Sequence, residues 1–255
     1  MTGPQQEHTE RRALRIEIVV VLAVTFGLSA YTAVVSLAEA VILGLSGQKV
    51  ALNHRRSPID FIDFLLNLSP VFTLVGWGFL ALYLLWRSGF RPAAIGLGRF
   101  RWRPDLLGGL GLAALIGLPG LGLYVAGRAL GIGVDVVPST LGDTWWRIPV
   151  LLLMAFANAW AEEIIVVGFL LTRLRQLDVS ATKSLILSAL LRGTYHLYQG
   201  FGAGLGNIAM GLVFGYTWRR TGRLWPLIIG HGVIDAVAFV GYALAARHLG
   251  WLHPA

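Results

Sequence analysis

The sequence predicts an all-α fold, a polytopic bundle of about seven membrane-spanning helices whose last four form a distinct core. Three observations lead there. Of 255 residues, 56% are hydrophobic and only 13% charged, where a soluble domain carries about 25% charged residues. Apolar runs of roughly 20 residues, the length that crosses a bilayer, recur along the chain. Charged and imidazole side chains interrupt the middle of these runs only in the second half of the sequence.

Composition also excludes several classes. There is no cysteine, which removes disulfides, thiolate nucleophiles and cysteine-ligated metals. The formal charge of +8 reads as loop charge beside anionic lipid. No basic stripe with interleaved aromatics accompanies it, so no nucleic-acid partner is expected. The expected surroundings are membrane lipid.

In chain order, "MTGPQQEHTERRALR" (1–15) reads as a polar cytoplasmic tail. The apolar run from Ile16 is longer than a cleaved leader's and lacks a small-residue cleavage site, so it reads as a retained helix. Seven segments qualify as spans: 16–38, 62–86, 105–127, 148–172, 182–199, 201–218 and 224–246. Glu39 marks the outer end of the first. Trp145 and Trp146 read as an outer interfacial anchor before the fourth, and Trp225-Pro226 as the opening turn of the seventh. "YQGFGAG" separates the fifth from the sixth, as a tight hairpin or beside a re-entrant segment. Residues 1–255 form one membrane domain, with N-terminal helices over 16–147 and the core over 148–246. His248 and His253 fall in a solvated tail.

Basic residues set the orientation. With the N-terminus inside, the inner segments hold Arg11, Arg12, Arg15, Arg87, Arg91, Arg99, Arg101, Arg103, Arg173, Arg175, Lys183, Arg219, Arg220 and Arg223. The outer segments hold Lys49, Arg55, Arg56, Arg128, Arg147 and Arg247. The excess predicts a multi-pass protein of the plasma membrane with a cytoplasmic N-terminus.

The interrupting residues are Glu162 and Glu163 in the fourth span, Arg192 and His196 in the fifth, Asn207 in the sixth, and His231 and Asp235 in the seventh. A charge at the bilayer centre costs about 2.5–3.5 kcal/mol on insertion scales, so such groups face the bundle interior and carry function. Counted from the nearest inner basic residue, Glu163, His196, Asn207, His231 and Asp235 lie roughly 12–20 Å deep, one shared layer. His231 and Asp235 are four apart and share a face, as do Arg192 and His196. Asn207, Gly211 and Gly215 make another such stripe, where small residues admit a close neighbour. Asn207 is a possible site residue or interhelical glue. Tyr195 and Tyr198 read as belt or packing residues. The expectation is a polar cavity walled by helices four to seven and open to the cytoplasmic side.

Paired carboxylates with two imidazoles suit hydrolysis. Burial disfavours an ionised carboxylate and a nearby cation favours it, a balance that leaves a glutamate able to take a proton from water. A histidine or amide opposite can stabilise the oxyanion. Alternatively Glu163, His196 and His231 hold a divalent metal such as zinc that activates the water. The short His-Glu-x-x-His zinc signature is absent.

Glu162-Glu163, then His196 in "LLRGTYHLYQG", then "HGVID" from His231 to Asp235 resemble the three motifs of the CPBP intramembrane proteases. This family includes CAAX-prenyl endopeptidases and bacteriocin-processing enzymes, also called Abi. Its pattern is Glu-Glu-x-x-x-Arg, Phe-x-x-x-His and His-x-x-x-Asn/Asp, and the resemblance covers roughly 148–246. It implies that Glu162 or Glu163 activates water with help from His196, and that His231 and Asp235 orient the water or stabilise the tetrahedral intermediate. It implies an endopeptidase acting near the C-terminus of a membrane-associated peptide or lipid-modified protein, a metalloprotease by the family's common name. Two positions depart from the pattern. Val167 stands at the motif-one arginine and Arg192 at the motif-two phenylalanine. Relocation accounts for both: Arg192 supplies from the next helix the cation that the glutamate pair needs.

Rival readings are a proton-coupled transporter, which suits Glu/His/Arg/Asp relays but should show inverted repeats in both halves, and a non-catalytic immunity or scaffold relative. "GLSG" (44–47) matches a rhomboid-type Gly-x-Ser-x pattern but lies far from any membrane histidine.

Overall fold

The computed structural model describes residues 4–131 and 134–241; His248 and His253 lie outside them. Seven helical rods run through the described residues: α1 (Gln5–Leu43), α2 (Asp60–Arg87), α3 (Trp102–Ala129), α4 (Arg147–Gln176), α5 (Ala181–Tyr195), α6 (Phe201–Thr221) and α7 (Trp225–Gly241). The architecture is an all-α membrane bundle. α1 to α4 are long and apolar enough to cross a membrane. α5 has 15 residues, about 22 Å of helix, short of a core about 30 Å thick. It therefore stops inside the layer.

The sequence expectation placed two ends of α1 wrongly. The helix does not begin at Ile16: residues 5–15 are helical too. "EHTERRALR" is rich in strong helix formers, and Arg11 docks the segment by donating to Asp178 Oδ2 (2.5 Å) and to the Leu177 carbonyl (2.9 Å). Nor does α1 end at Glu39. It continues to Leu43 and breaks at Gly44, whose φ of +92° suits a residue without Cβ. "GLSG" is the short turn that follows.

A two-stranded parallel sheet was not anticipated. β1 (Lys49–Asn53) pairs with β2 (Asp135–Ser139) in the register Lys49↔Asp135 to Asn53↔Ser139. Neither five-residue stretch alternates long enough to announce a strand. The long crossover that a parallel pair requires is supplied by α2 and α3.

The bundle has two ends. At the N-terminal face, Arg173 is fully buried and donates to Glu17 Oε1, Gln176 Oε1, the Leu84 carbonyl and Ser88 Oγ at 2.8–3.0 Å. It joins α1, α2 and α4. Arg223 pairs with the buried Asp105 and with the Arg99 carbonyl, tying the α6–α7 turn to α3. Both arginines were expected as loop charges; burial against these partners makes them clamps. The strand face carries β1, β2 and the α5–α6 turn, where Gly200 abuts Val134. Trp145 is exposed there, but Trp146 is not the surface anchor expected. It is buried against Phe64, ring centroids 5.7 Å apart.

α4 is the central rod. Its apolar stretch is 67% buried, against 28%, 22% and 17% for α1, α2 and α3, whose outer faces expose Val20, Leu28, Phe72, Phe79, Leu118 and Leu121 to lipid. Glycines close the far side of the bundle. A Cβ at Gly211 would sit 2.8 Å from Ala189 Cα, one at Gly193 would sit 2.8 Å from the Gly204 carbonyl oxygen, and one at Gly230 would lie 3.0 Å from the Gly109 carbonyl oxygen. α5 and α6 therefore pack backbone to backbone as a hairpin, and α3 and α7 also meet backbone to backbone.

Candidate functional site

The two glutamates of α4 diverge because adjacent residues on a helix point about 100° apart; a π-helical stretch at Glu163–Phe169 begins at the second of them, a distortion frequent at functional sites. Glu163 turns into the protein. Its Oε1 accepts from Arg192 Nη2 at 2.6 Å and lies 2.8 Å from His231 Nδ1. Glu163 and Arg192 are both fully buried. The guanidinium from α5 stacks over Phe214, 5.8 Å from the ring centroid, while Val167 is buried in the apolar core. His231 continues the chain of contacts: its Nε2 lies 3.5 Å from Asp235 Oδ2, and that oxygen accepts from Asn158 Nδ2 at 2.9 Å. Arg192, Glu163, His231, Asp235 and Asn158 thus form one connected line through α5, α4 and α7.

Glu162 faces the other way, into a cavity of about 420 Å³. Tyr195 donates to its Oε2 at 2.6 Å. His196 Nε2 stands 4.0 Å from its Oε1. His196 Nδ1 lies 2.9 Å from the Arg192 carbonyl. A carbonyl only accepts, so Nδ1 carries a hydrogen, and in the neutral ring the Nε2 lone pair points toward Glu162. Tyr195, expected as a packing residue, is a ligand of the carboxylate. It is buried and held by stacking on Phe26, centroids 4.7 Å apart at 21°. No periodicity marks that role; Tyr195 is the last residue of α5.

The cavity is lined by Phe26 and Ser29 of α1, by Ser69, Pro70, Thr73, Leu74 and Trp77 of α2, by Asn158 and Glu162 of α4, by Tyr195, His196 and Tyr198 at the end of α5, and by Arg56 from the loop before α2. Two expectations are corrected. The walls are not helices four to seven: α6 and α7 are sealed by their glycine contacts, and α1 and α2 take their place. The lining reaches the strand face, at Arg56 in the loop after β1, rather than the N-terminal face. Asn207 does not join the cluster; its Nδ2 donates to the Ala203 carbonyl of its own helix at 3.0 Å. Asn158, Tyr198 and Arg56 carry no catalytic signature in sequence, and only the fold brings them to the cavity that holds Glu162.

The donors anticipated for a metal, Glu163, His196 and His231, do not converge. Glu163 Oε1 is committed to a guanidinium and His231 Nδ1 is turned onto the same oxygen, while His196 faces Glu162. Among the described residues no group of three His, Asp or Glu side chains is arranged to hold a metal ion. The residues present do not fit a resident divalent cation.

Residues 144–237 match the family profile of the Rce1-like proteins, described as type II CAAX prenyl endopeptidase Rce1-like. That segment is similar to the CPBP/CAAX-protease family. It contains Glu162, Glu163, Arg192, His196, His231 and Asp235, and the activity of the CAAX-protease family in general is that of an intramembrane endopeptidase. No curated protein and no solved structure matches the chain.

Proposed function

We propose that this CAAX-protease relative hydrolyses a peptide bond near the C-terminus of a lipid-modified or otherwise membrane-associated protein, with Glu162 as the base that activates water. The observation that carries the reading is the Glu162–His196 gap of 4.0 Å at the cavity wall. A water between them donates one hydrogen to Glu162 Oε1 and the other to His196 Nε2. As the water oxygen bonds to the scissile carbonyl carbon, Glu162 takes its proton; as the C–N bond breaks, Glu162 returns that proton to the leaving amine. Tyr195 holds Oε2 and so fixes the carboxylate's orientation. Tyr198 accepts from Gln199 Nε2 at 2.8 Å, which leaves its own hydroxyl hydrogen free to meet the developing oxyanion in the cavity.

In this reading Glu163, His231 and Asp235 have positioning roles. They hold α4, α5 and α7 together around Arg192 and place Glu162, His196 and Asn158. Arg192 does from α5 what a motif-one arginine does from α4. The protein sits in the plasma membrane with a cytoplasmic N-terminus, as the basic residues favour, which turns the cavity mouth to the opposite side. The substrate's lipid chain and aliphatic residues meet Phe26, Leu74 and Trp77.

The test is cleavage of an S-farnesylated peptide by purified protein, wild type against Glu162→Gln, His196→Ala and Glu163→Gln, before and after exhaustive chelation. Expected are loss of more than about 100-fold for Glu162→Gln with the fold intact and no effect of chelation. Cleavage that survives both Glu162→Gln and His196→Ala refutes the proposal.

A further inference from the structure

Glu162 is the one carboxylate lining the cavity among the described residues, and Arg56 is its one permanent cation. They come from different parts of the fold: Glu162 lies within α4 and Arg56 in the loop between β1 and α2. The loop is built to present that guanidinium. Its backbone is pinned by Asp63, buried at the start of α2, whose Oδ1 accepts from Arg56 N at 2.6 Å, from Ser57 N at 3.1 Å and from Asn67 Nδ2 at 3.1 Å. The neighbouring Arg55 is consumed in holding the turn. It donates to the Ser57 and Pro58 carbonyls at 2.8 and 2.7 Å and to Asp60 Oδ1 at 3.0 Å. The Arg56 side chain has no hydrogen bond, ion pair or ring contact among the described residues. A fixed loop therefore projects an unpaired guanidinium into the cavity that holds the candidate base.

We propose that Arg56 binds the C-terminal carboxylate of the substrate peptide, and that its placement relative to Glu162 selects the bond cut by its distance from the chain end. The inference rests on the hydrolase reading above and adds the substrate's terminal group. An endopeptidase acting a few residues from a C-terminus must hold a short segment whose one obligatory charge is that carboxylate. A guanidinium offers two parallel N–H donors matched to it. The volume falls within the range of roughly 300–1,000 Å³ that holds small ligands, and the rest of the lining is mostly neutral, with Leu74, Trp77 and Thr73 contributing.

Binding decides the matter without requiring turnover. Two S-farnesylated peptides of one sequence are compared by fluorescence anisotropy on the full chain carrying Glu162→Gln, one ending in a free carboxylate and one in an amide. The free acid is expected to bind roughly 10- to 100-fold more tightly, the value of a hydrogen bond to a charged group. Arg56→Ala should erase that preference by weakening the acid alone, and Arg56→Lys should keep part of it. Arg56 is exposed, so the substitutions leave the fold intact, and Tm is read alongside. Equal affinity for acid and amide, or a preference that survives Arg56→Ala, overturns the proposal. So does an equal loss for both peptides that appears only in bilayers with anionic lipid, which would assign Arg56 to a headgroup phosphate. Cleavage by the otherwise wild-type chain is read separately. A preference without cleavage upholds carboxylate recognition and sinks hydrolysis; cleavage without preference does the reverse.

Discussion

Removing the Arg192 guanidinium should destabilise the bundle out of proportion to the size of the side chain. Arg192 and Glu163 have no exposed side-chain surface and meet at 2.6 Å. Breaking such a pair from one side strands the other charge in a medium that cannot solvate it, at about 3–5 kcal/mol. That is a large part of the 5–15 kcal/mol, roughly, that holds a domain folded. His231 alone then faces Glu163. The loss has a packing part as well, because Arg192 covers Phe214 and its Cδ lies 3.6 Å from where a Gly211 Cβ would stand. A double-mutant cycle separates the two parts. Glu163→Gln added to Arg192→Ala removes the stranded charge but not the void, so the double variant should be more stable than the sum of the singles by about 0.5–3 kcal/mol. Unfolding of the detergent-solubilised protein, followed by the fluorescence of its nine tryptophans, measures each corner. Strict additivity, or an Arg192→Ala cost below about 1 kcal/mol as for an exposed pair, would refute the buried-pair reasoning.

Other outcomes follow from particular contacts. Tyr195→Phe removes the donor to Glu162 Oε2 and should cost about 1–3 kcal/mol of stability, with a lower kcat and a nearly unchanged KM in the peptide-cleavage assay. Gly211→Leu forces α5 and α6 apart at the Ala189 backbone and should lower stability by about 1–3 kcal/mol; Gly206→Ala, whose nearest neighbour would be Leu123 Cδ2 at 4.0 Å, should leave Tm unchanged within error. Because the chain has no cysteine, single replacements report the sidedness of the membrane. With the N-terminus inside, Lys49→Cys at the strand face reacts with an impermeant maleimide in intact cells and Arg91→Cys at the N-terminal face reacts only after permeabilisation. The reverse pattern would overturn the orientation and place the cavity mouth in the cytoplasm.

Much of the molecule was legible because its physics is one-dimensional. A span is a run of apolar residues, and the rods at 60–87, 102–129, 147–176 and 201–221 lie within a few residues of the expected segments. The charged residues inside those runs were legible for the same reason, since an Asp, Glu or Arg in oil needs a partner. The rest depended on three-dimensional relations that composition does not carry. Glu162 and Glu163 are adjacent in sequence, and only the packing of α4 against α5 and α7 decides which enters the cavity and which meets Arg192. Tyr195 looked like packing because an aromatic at a helix end usually is. Arg56 looked like ordinary loop charge, since its place in the cavity lining depends on Asp63 fixing the loop. The direction of the cavity failed to emerge from counting depth, which gives a distance from one face but not the side on which a short helix leaves room.

The two departures from the family pattern become one when the side chains are placed. An arginine one turn beyond Glu163 on α4, at the position of Val167, would have to reach back along its own helix. From α5, Arg192 reaches across and lies against Phe214 of α6. The consequence extends to the reacting residues, because the backbone carbonyl of Arg192 is the acceptor for His196 Nδ1. One residue therefore neutralises Glu163 through its side chain and sets the His196 tautomer through its main chain. This yields a contrast that a merely relocated charge would not. Restoring the motif as Val167→Arg in an Arg192→Phe background should recover the neutralisation of Glu163, and hence stability. The His196 carbonyl contact, being backbone, should persist in every one of these variants, and a histidine ¹⁵N spectrum should show the Nδ1–H tautomer throughout. A switch of tautomer on substituting Arg192 would mean that its side chain, not its carbonyl, governs the imidazole.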